Sequence, residues 1–184
     1  MHGHQIKYFF LVLVLAVFCS RCTKPVDFDQ ANDLVIEPVV GSSIAFFNGK
    51  ANDFNEGAQG SIVTDTVSID VFGNNFVQDN LVKAELIFEL TNSINRGYSL
   101  QVDFLDAMGL ENQSLTFTVP ASPSNVPVLT TFTEVFEDMA LVDLKNTEFL
   151  IFTLTMLPGQ PITQDSLGEI NLQSKGVFFL LVNT

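Results

Sequence analysis

The chain has 184 residues, of which 47% are hydrophobic and 16% are charged. This composition suits one packed domain rather than a disordered tail. The formal net charge of −13 argues against nucleic-acid binding, because an acidic surface repels phosphate backbones. The chain has eighteen phenylalanines, two tyrosines and no tryptophan. Because phenylalanine has no polar group on its ring, this indicates a core whose aromatic side chains form few hydrogen bonds.

The chain begins with a short apolar segment. Lys7 precedes an uninterrupted apolar run from Tyr8 to Phe18, which is shorter than the roughly 20 residues that a membrane-spanning helix needs. A basic start, a short apolar core and then small residues are typical of a secretory signal. We therefore expect the protein to be exported.

The end of this segment contains two cysteines, in the order Cys19-Ser20-Arg21-Cys22. Cys22 lies at a suitable distance from the apolar run, with Ser20 two places before it, and this resembles a bacterial lipoprotein signal. The resemblance implies that Cys22 becomes the acylated first residue. Because Arg21 stands where lipoprotein signals have a small residue, an ordinary cut after Cys19 is the alternative.

The resemblance divides the chain into a signal peptide at 1–21, a polar tether at 22–32 and a domain at 33–184. It implies an exported protein that is lipid-anchored to the cell envelope, in the outer membrane of a Gram-negative bacterium. The protein would meet the membrane only through this anchor, since no later segment is long and apolar enough to span it.

Removal of the signal would change the chemistry available to the chain. Both histidines, His2 and His4, lie in the signal, so the mature chain would lack the general base of a Ser-His-Asp triad. It would also lack the usual ligands of zinc. Losing Lys7 and Arg21 leaves six of the eight basic residues against all 21 acidic ones, a formal charge of −15. We expect no catalytic, metal or cofactor site.

The rest of the chain shows a period of two, which is typical of half-buried strands. Apolar residues alternate with polar ones around four segments: 66–71, 82–91, 98–104 and 114–119. Further strands are predicted at 34–40, 43–49, 129–136, 148–157 and 169–183. A short helix is predicted from Glu137 to Asn146. The segments 84–90 and 98–104, joined by a polar loop that ends in Gly97, are predicted to form a hairpin.

Eight or nine short strands separated by Gly, Pro and Asn turns indicate an all-β domain. We predict a two-sheet antiparallel β-sandwich, with a barrel of similar size as the alternative.

The acidic residues offer two further interpretations. Two carboxylate pairs, Asp103/Asp106 and Glu137/Asp138, could in principle serve a glycosidase, but nothing distinguishes them among 21 acids. Calcium-loop spacing fails for loops starting at Asp27 or Asp53, because the required glycine and terminal acid are missing. We interpret these acids as solvated carboxylates, with an irregular calcium site in the loops as the alternative.

These observations lead to the hypothesis of a non-enzymatic envelope lipoprotein that binds an unidentified envelope protein or supports an envelope assembly. The alternative is a carbohydrate-binding or apolar-ligand-binding envelope protein. A third hypothesis is a hydrolase that uses carboxylates alone. A cleft lined with Phe would favour a ligand carrier, whereas an exposed sheet edge would favour a protein partner.

Overall fold

A computed structural model describes residues 35–54 and 62–183. Strands make up most of these residues. They are β1 (Val35–Ile36), β2 (Val39–Lys50), β3 (Ile62–Ser68), β4 (Leu81–Asn92), β5 (Tyr98–Leu105), β6 (Glu111–Val119), β7 (Val128–Phe136), β8 (Phe149–Met156), β9 (Glu169–Leu180) and β10 (Val182–Asn183). The helices are α1 (Asn75–Asn80) and α2 (Asp138–Lys145), and short 3₁₀ turns cover Ala51–Phe54 and Asp70–Gly73.

The chain divides into a unit at Ile36–Val182, which holds the sandwich, and a second unit at Met1–Val35 with Asn183–Thr184. Of the second unit, the structure describes only Val35 and Asn183. The strands β1 and β10 form a small two-stranded sheet.

Eight strands form two four-stranded antiparallel sheets. The first sheet has the order β2-β9-β4-β7, and the second has the order β3-β8-β5-β6. Apart from β5 and β6, the neighbours within each sheet are not consecutive in the chain. Consecutive strands from β2 to β5 alternate between the sheets. Eight strands arranged in this way form a jelly roll. The predicted antiparallel sandwich is therefore confirmed.

The alternating residues provide the core between the sheets. On β4 and β5 the inward side chains are all buried, and they are Ala84, Leu86, Phe88, Leu90, Tyr98, Leu100, Val102 and Phe104. Their polar neighbours in sequence point outward, as the period of two predicts. Burial of so many large apolar side chains is the main force that holds the two sheets together.

The predicted hairpin between 84–90 and 98–104 is wrong. The first segment lies in β4 and pairs with β7 and β9, whereas the second lies in β5 and pairs with β6 and β8. The chain crosses from one sheet to the other between β4 and β5, and the buried side chain of Asn92 stabilises this connection. It accepts a hydrogen bond from the Ile94 amide and donates hydrogen bonds to the Arg96 and Pro120 carbonyls. Alternation fixes which face is buried but not which strand is the neighbour.

Two other features differ from the sequence-based expectation. The segments 34–40 and 43–49 were predicted as separate strands, yet β2 runs without a break from Val39 to Lys50. The small polar residues between them pair with β9, and a bulge at Ile44 absorbs the irregularity. The predicted helix at Glu137–Asn146 is confirmed as α2, while α1 was not anticipated.

Candidate functional site

The sandwich has two lateral sides, where the edge strands of one sheet meet those of the other. One side is closed by aromatic rings from β6 and β7. Phe117 stacks on Phe132 with ring centroids 4.5 Å apart, and Phe88 packs against Phe117 at 5.3 Å. Nearby, Phe104 contacts Phe136 at 5.6 Å. Large flat side chains therefore fill the space between these two edges.

The other side, between β2 and β3, has small residues on the inner face of the first sheet. Ser42 lies opposite Gly176 in the β2–β9 register, and Ala45 lies opposite Ser174. A methyl group at Gly176 would come within 2.5 Å of the Phe178 ring, so that ring occupies the space above the glycine. The small side chains of Ser42 and Ala45 on the β2 wall leave a gap, which we call the lateral slot.

The larger of two cavities in the lateral slot has a volume of about 240 Å³. Its floor is apolar and includes Leu86, Phe72 and Phe178, all of which are buried. Polar residues also line it, and they are Ser42, Ser43, Ser68 and Asp70. An apolar cavity with a few convergent polar groups is the usual form of a small-molecule site.

The smaller cavity lies farther along the same slot and has a volume of about 20 Å³. It is lined mainly by apolar residues, among them Phe47, Leu90 and Phe152, with Asp65 as its one charged residue. This volume accommodates about one water molecule. Only the larger cavity can therefore hold an organic ligand.

The charges of the lateral slot are all negative. Asp65 lines the smaller cavity and Asp70 lines the larger one, and no lysine or arginine lines either. The Ser68 hydroxyl donates a hydrogen bond to one Asp70 oxygen at 3.3 Å. Because the second Asp70 oxygen has no hydrogen-bond partner among the described residues, it can accept from a bound group.

The strand β2 is a second unusual feature of the same side. Its twelve residues carry no charge between Val39 and Gly49, and most of them are exposed. The other three edge strands each contain an acidic residue: Asp65 on β3, Glu111 on β6 and Glu134 on β7. Charged residues and bulges both protect sheet edges from unwanted strand pairing. Among the described edge strands of the sandwich, β2 has a bulge at Ile44 but no charged residue between Val39 and Gly49.

Hydrogen-bond alternation shows which backbone groups of β2 face outward. The Leu180 amide donates to the Pro38 carbonyl at 3.1 Å, so this pair belongs to the bonded set of the β2–β9 ladder. Bonded and non-bonded pairs alternate in an antiparallel ladder. Within the described residues, the backbone groups of Val39, Gly41 and Ser43 therefore point to the free edge.

The residues singled out from the sequence do not form one site. Cys22 lies outside the described residues. Asp103 accepts from Ser114 at 2.6 Å on the outer face of β5, whereas Asp106 accepts from the amides of a tight turn. Glu137 lies 3.9 Å from Lys83, and neither it nor Asp138 lines the lateral slot. These carboxylates serve surface pairs and turns in this structure.

A buried polar cluster at one end of the sandwich has a structural role. Arg96 is 96% buried and donates to the carbonyls of Leu157 and Gln160, which ties the β4–β5 loop to the β8–β9 loop. Asn125 donates hydrogen bonds to the Ser93 and Leu167 carbonyls, and these bonds tie the β6–β7 loop to the same two loops. The cluster satisfies backbone groups that burial would otherwise leave without partners.

Sequence reasoning missed the lateral slot altogether. The available signal was the run Gly41-Ser42-Ser43 inside a strand, together with Gly176 in another. Glycine within a strand often marks a bulge or a place where another group approaches the backbone.

Two negative findings apply to residues 35–54 and 62–183. No helix there is long and apolar enough to cross a membrane. No group of three acidic, cysteine or histidine side chains there is arranged to hold a metal ion.

Comparison with known proteins identifies no family. No family model matches the chain, and no curated protein matches it. A structure of infectious bursal virus derived T=1 particles is similar over 80% of this chain and 36% of its own, with 10% identity and a TM-score of 0.45. A structure of PfGH50B is similar over 80% and 22%, with 12% identity and a TM-score of 0.40. The chain thus spans about a third or less of these structures.

Proposed function

We propose that this chain is a non-enzymatic lipoprotein of the cell envelope, whose sandwich binds a partner protein by adding a strand of the partner to β2. The signal-like residues at 1–21 and Cys22 support the export and the anchor. The uncharged free edge of β2 supports the mode of binding, and it is the observation that carries the proposal.

The edge of β2 has the properties that strand addition requires. An extended peptide binds to such an edge through main-chain hydrogen bonds, while its alternate side chains contact the flanking surface. The outward backbone groups of Val39, Gly41 and Ser43 would supply the bonds to the partner. The 64% exposed Phe46 is an apolar contact on the same strand.

Charge also favours β2 over the other edges. The mature chain has a formal charge of −15, so most of its surface repels other acidic proteins. A partner strand approaching β2 meets no carboxylate between Val39 and Gly49, whereas each other edge presents one. The partner would therefore dock where desolvation of charge costs least.

The experiment compares Gly41→Pro with Gly41→Ala. Proline removes an amide that faces the free edge, so it blocks an added strand and leaves the β2–β9 bonds intact. Alanine keeps the amide, and its methyl group would have no heavy atom closer than 4.0 Å. The tagged variants are cross-linked in envelope extracts, and the captured proteins are quantified by mass spectrometry.

We expect the Gly41→Ala variant to capture the partner protein in the same amount as the parent protein does. The Gly41→Pro variant should capture at least about tenfold less of it. Urea denaturation would confirm that both variants remain folded. Equal capture by both variants would exclude strand addition at β2, and capture of nothing by the parent protein would contradict partner binding.

A further inference from the structure

We propose that the larger cavity of the lateral slot binds a small cationic amphiphile, with its apolar part against Leu86, Phe72 and Phe178 and its ammonium group at Asp70. This site adjoins the free edge of β2, since Ser42, Ser43 and Ile44 line it, but the proposal does not depend on a partner protein. The proposal rests on the size of the cavity, the nature of its floor and the sign of its charge.

The volume limits the ligand to a small molecule. A cavity of about 150 Å³ lined by apolar side chains holds benzene, and this one measures about 240 Å³. The additional space accommodates a few atoms beyond a single ring. A ring with a two-carbon or three-carbon arm therefore fits, whereas a long lipid chain does not.

The floor determines which end of the ligand enters first. Leu86 and Phe178 are 1% and 3% exposed, and Phe72 closes the cavity from the turn after β3. No polar side chain lies among these three, so an ammonium or carboxylate group buried there would lose its hydration without compensation. The apolar part of the ligand must face the floor and the polar group must stay with the polar lining residues.

These polar residues determine the sign of the ligand's charge. Among the residues that the structure describes, Asp70 is the only ionisable one that lines the larger cavity, and Asp65 lines the smaller one. An anionic ligand in the larger cavity would meet the Asp70 carboxylate and, among the described lining residues, no lysine or arginine. An ammonium group would gain a charge-assisted hydrogen bond to Asp70. The Ser42 hydroxyl, on the inner face of β2, can accept from the same group.

The test uses three probes of similar shape: phenethylamine, 2-phenylethanol and 3-phenylpropionate. Their binding to the mature domain is measured by isothermal titration calorimetry and by chemical-shift changes. Three variants are compared with the parent protein. Asp70→Asn removes the proposed partner of the ammonium group, Asp65→Asn removes the same charge from the smaller cavity, and Ser42→Leu fills the larger cavity.

We expect the amine to bind at least about tenfold more tightly than the acid, with the alcohol between them. Asp70→Asn should remove the preference for the amine over the alcohol, while Asp65→Asn should change it less than about threefold. Ser42→Leu should weaken all three probes, and a thermal melt would show whether the variant is folded.

Three results would overturn the proposal. The first is equal binding of the amine and the acid. The second is an equal effect of Asp65→Asn and Asp70→Asn, which would indicate general attraction to an acidic surface. The third is no binding of any probe up to about 10 mM, a limit that corresponds to negligible affinity.

Discussion

The ring of Phe117 on β6 lies nearly parallel to the ring of Phe132 on β7, with an interplanar angle of 24°. These two side chains close one lateral side of the sandwich. On the other side the same inner layer contains the small side chain of Ser42, and a cavity remains there. The position of the candidate site therefore follows from the sizes of side chains at the two openings, since small residues leave space that large ones fill.

The first prediction concerns the core. Phe88→Ala and Phe104→Ala should each destabilise the domain by about 3–5 kcal/mol, because both rings are at most 1% exposed and the surrounding chain cannot collapse fully. Glu85→Ala and Asp103→Ala should cost about 1 kcal/mol or less, since Glu85 forms a partly exposed pair with Lys83 at 2.8 Å. Urea denaturation of the four variants measures the contrast. Acidic substitutions as costly as the aromatic ones would mean that the two faces have been assigned wrongly.

The second prediction concerns the buried phenol of Tyr98. Its hydroxyl has no hydrogen-bond partner in the described part of the chain, and the residue is fully buried beside Phe54, at a centroid distance of 5.4 Å. Removing an unsatisfied buried hydroxyl relieves its desolvation penalty, so Tyr98→Phe should stabilise the domain by about 1 kcal/mol. Thermal and urea unfolding measure this change. A loss of stability would show that the hydroxyl has a partner after all.

Tyr98 also predicts a dependence of stability on pH. Burial raises the pKa of Tyr98 well above its ordinary value, and Arg96 offsets only part of this effect. In the unfolded chain Tyr98 would ionise near pH 10, while in the folded chain it still holds its proton. The contribution of Tyr98 to stability should therefore be constant below that pH and fall above it. Tyrosinate absorbance should therefore appear together with unfolding, and Tyr98→Phe should remove this part of the pH dependence. Ionisation of Tyr98 near pH 10 in the folded protein would contradict the prediction.

The third prediction compares two glycines with positive φ. Gly168 has φ +104°, and a methyl group there would lie 2.6 Å from the Ser93 carbonyl carbon, so Gly168→Ala should cost at least about 3 kcal/mol. Gly109 has φ +77° with no atom within 4 Å of the added methyl, so Gly109→Ala should cost only about 1–2 kcal/mol. The difference in urea midpoint between the two variants tests whether the Ser93 contact holds the β8–β9 loop in place. Equal midpoints would refute it.

The fourth prediction concerns processing at Cys22. Mass spectrometry of the native protein should find an acylated first residue at Cys22, because the residues before it resemble a lipoprotein signal. Cys22→Ser should release the protein from the membrane fraction, while Cys19→Ser should not. An unmodified terminus at Ser20 would refute the lipid anchor and leave export standing.

The sequence determined the faces of the strands. The period of two in 82–91 and 98–104 identified Phe88 and Phe104 as core residues, and both are buried. This prediction succeeds because successive side chains of a strand point to opposite faces whatever the neighbouring strand is. The sandwich and the helix α2 followed from similarly local patterns.

Only the tertiary structure decided which strands are neighbours and where space remains between them. Strand pairing depends on contacts far apart in sequence, so the predicted hairpin was wrong and β4 pairs instead with β7 and β9. The larger cavity lies beside Ser42, whose register partner Gly176 is 134 positions away in the chain and leaves no space of its own because the Phe178 ring covers it. A small residue creates a cavity only if its neighbours in space are also small or turned away, and no local pattern carries that information.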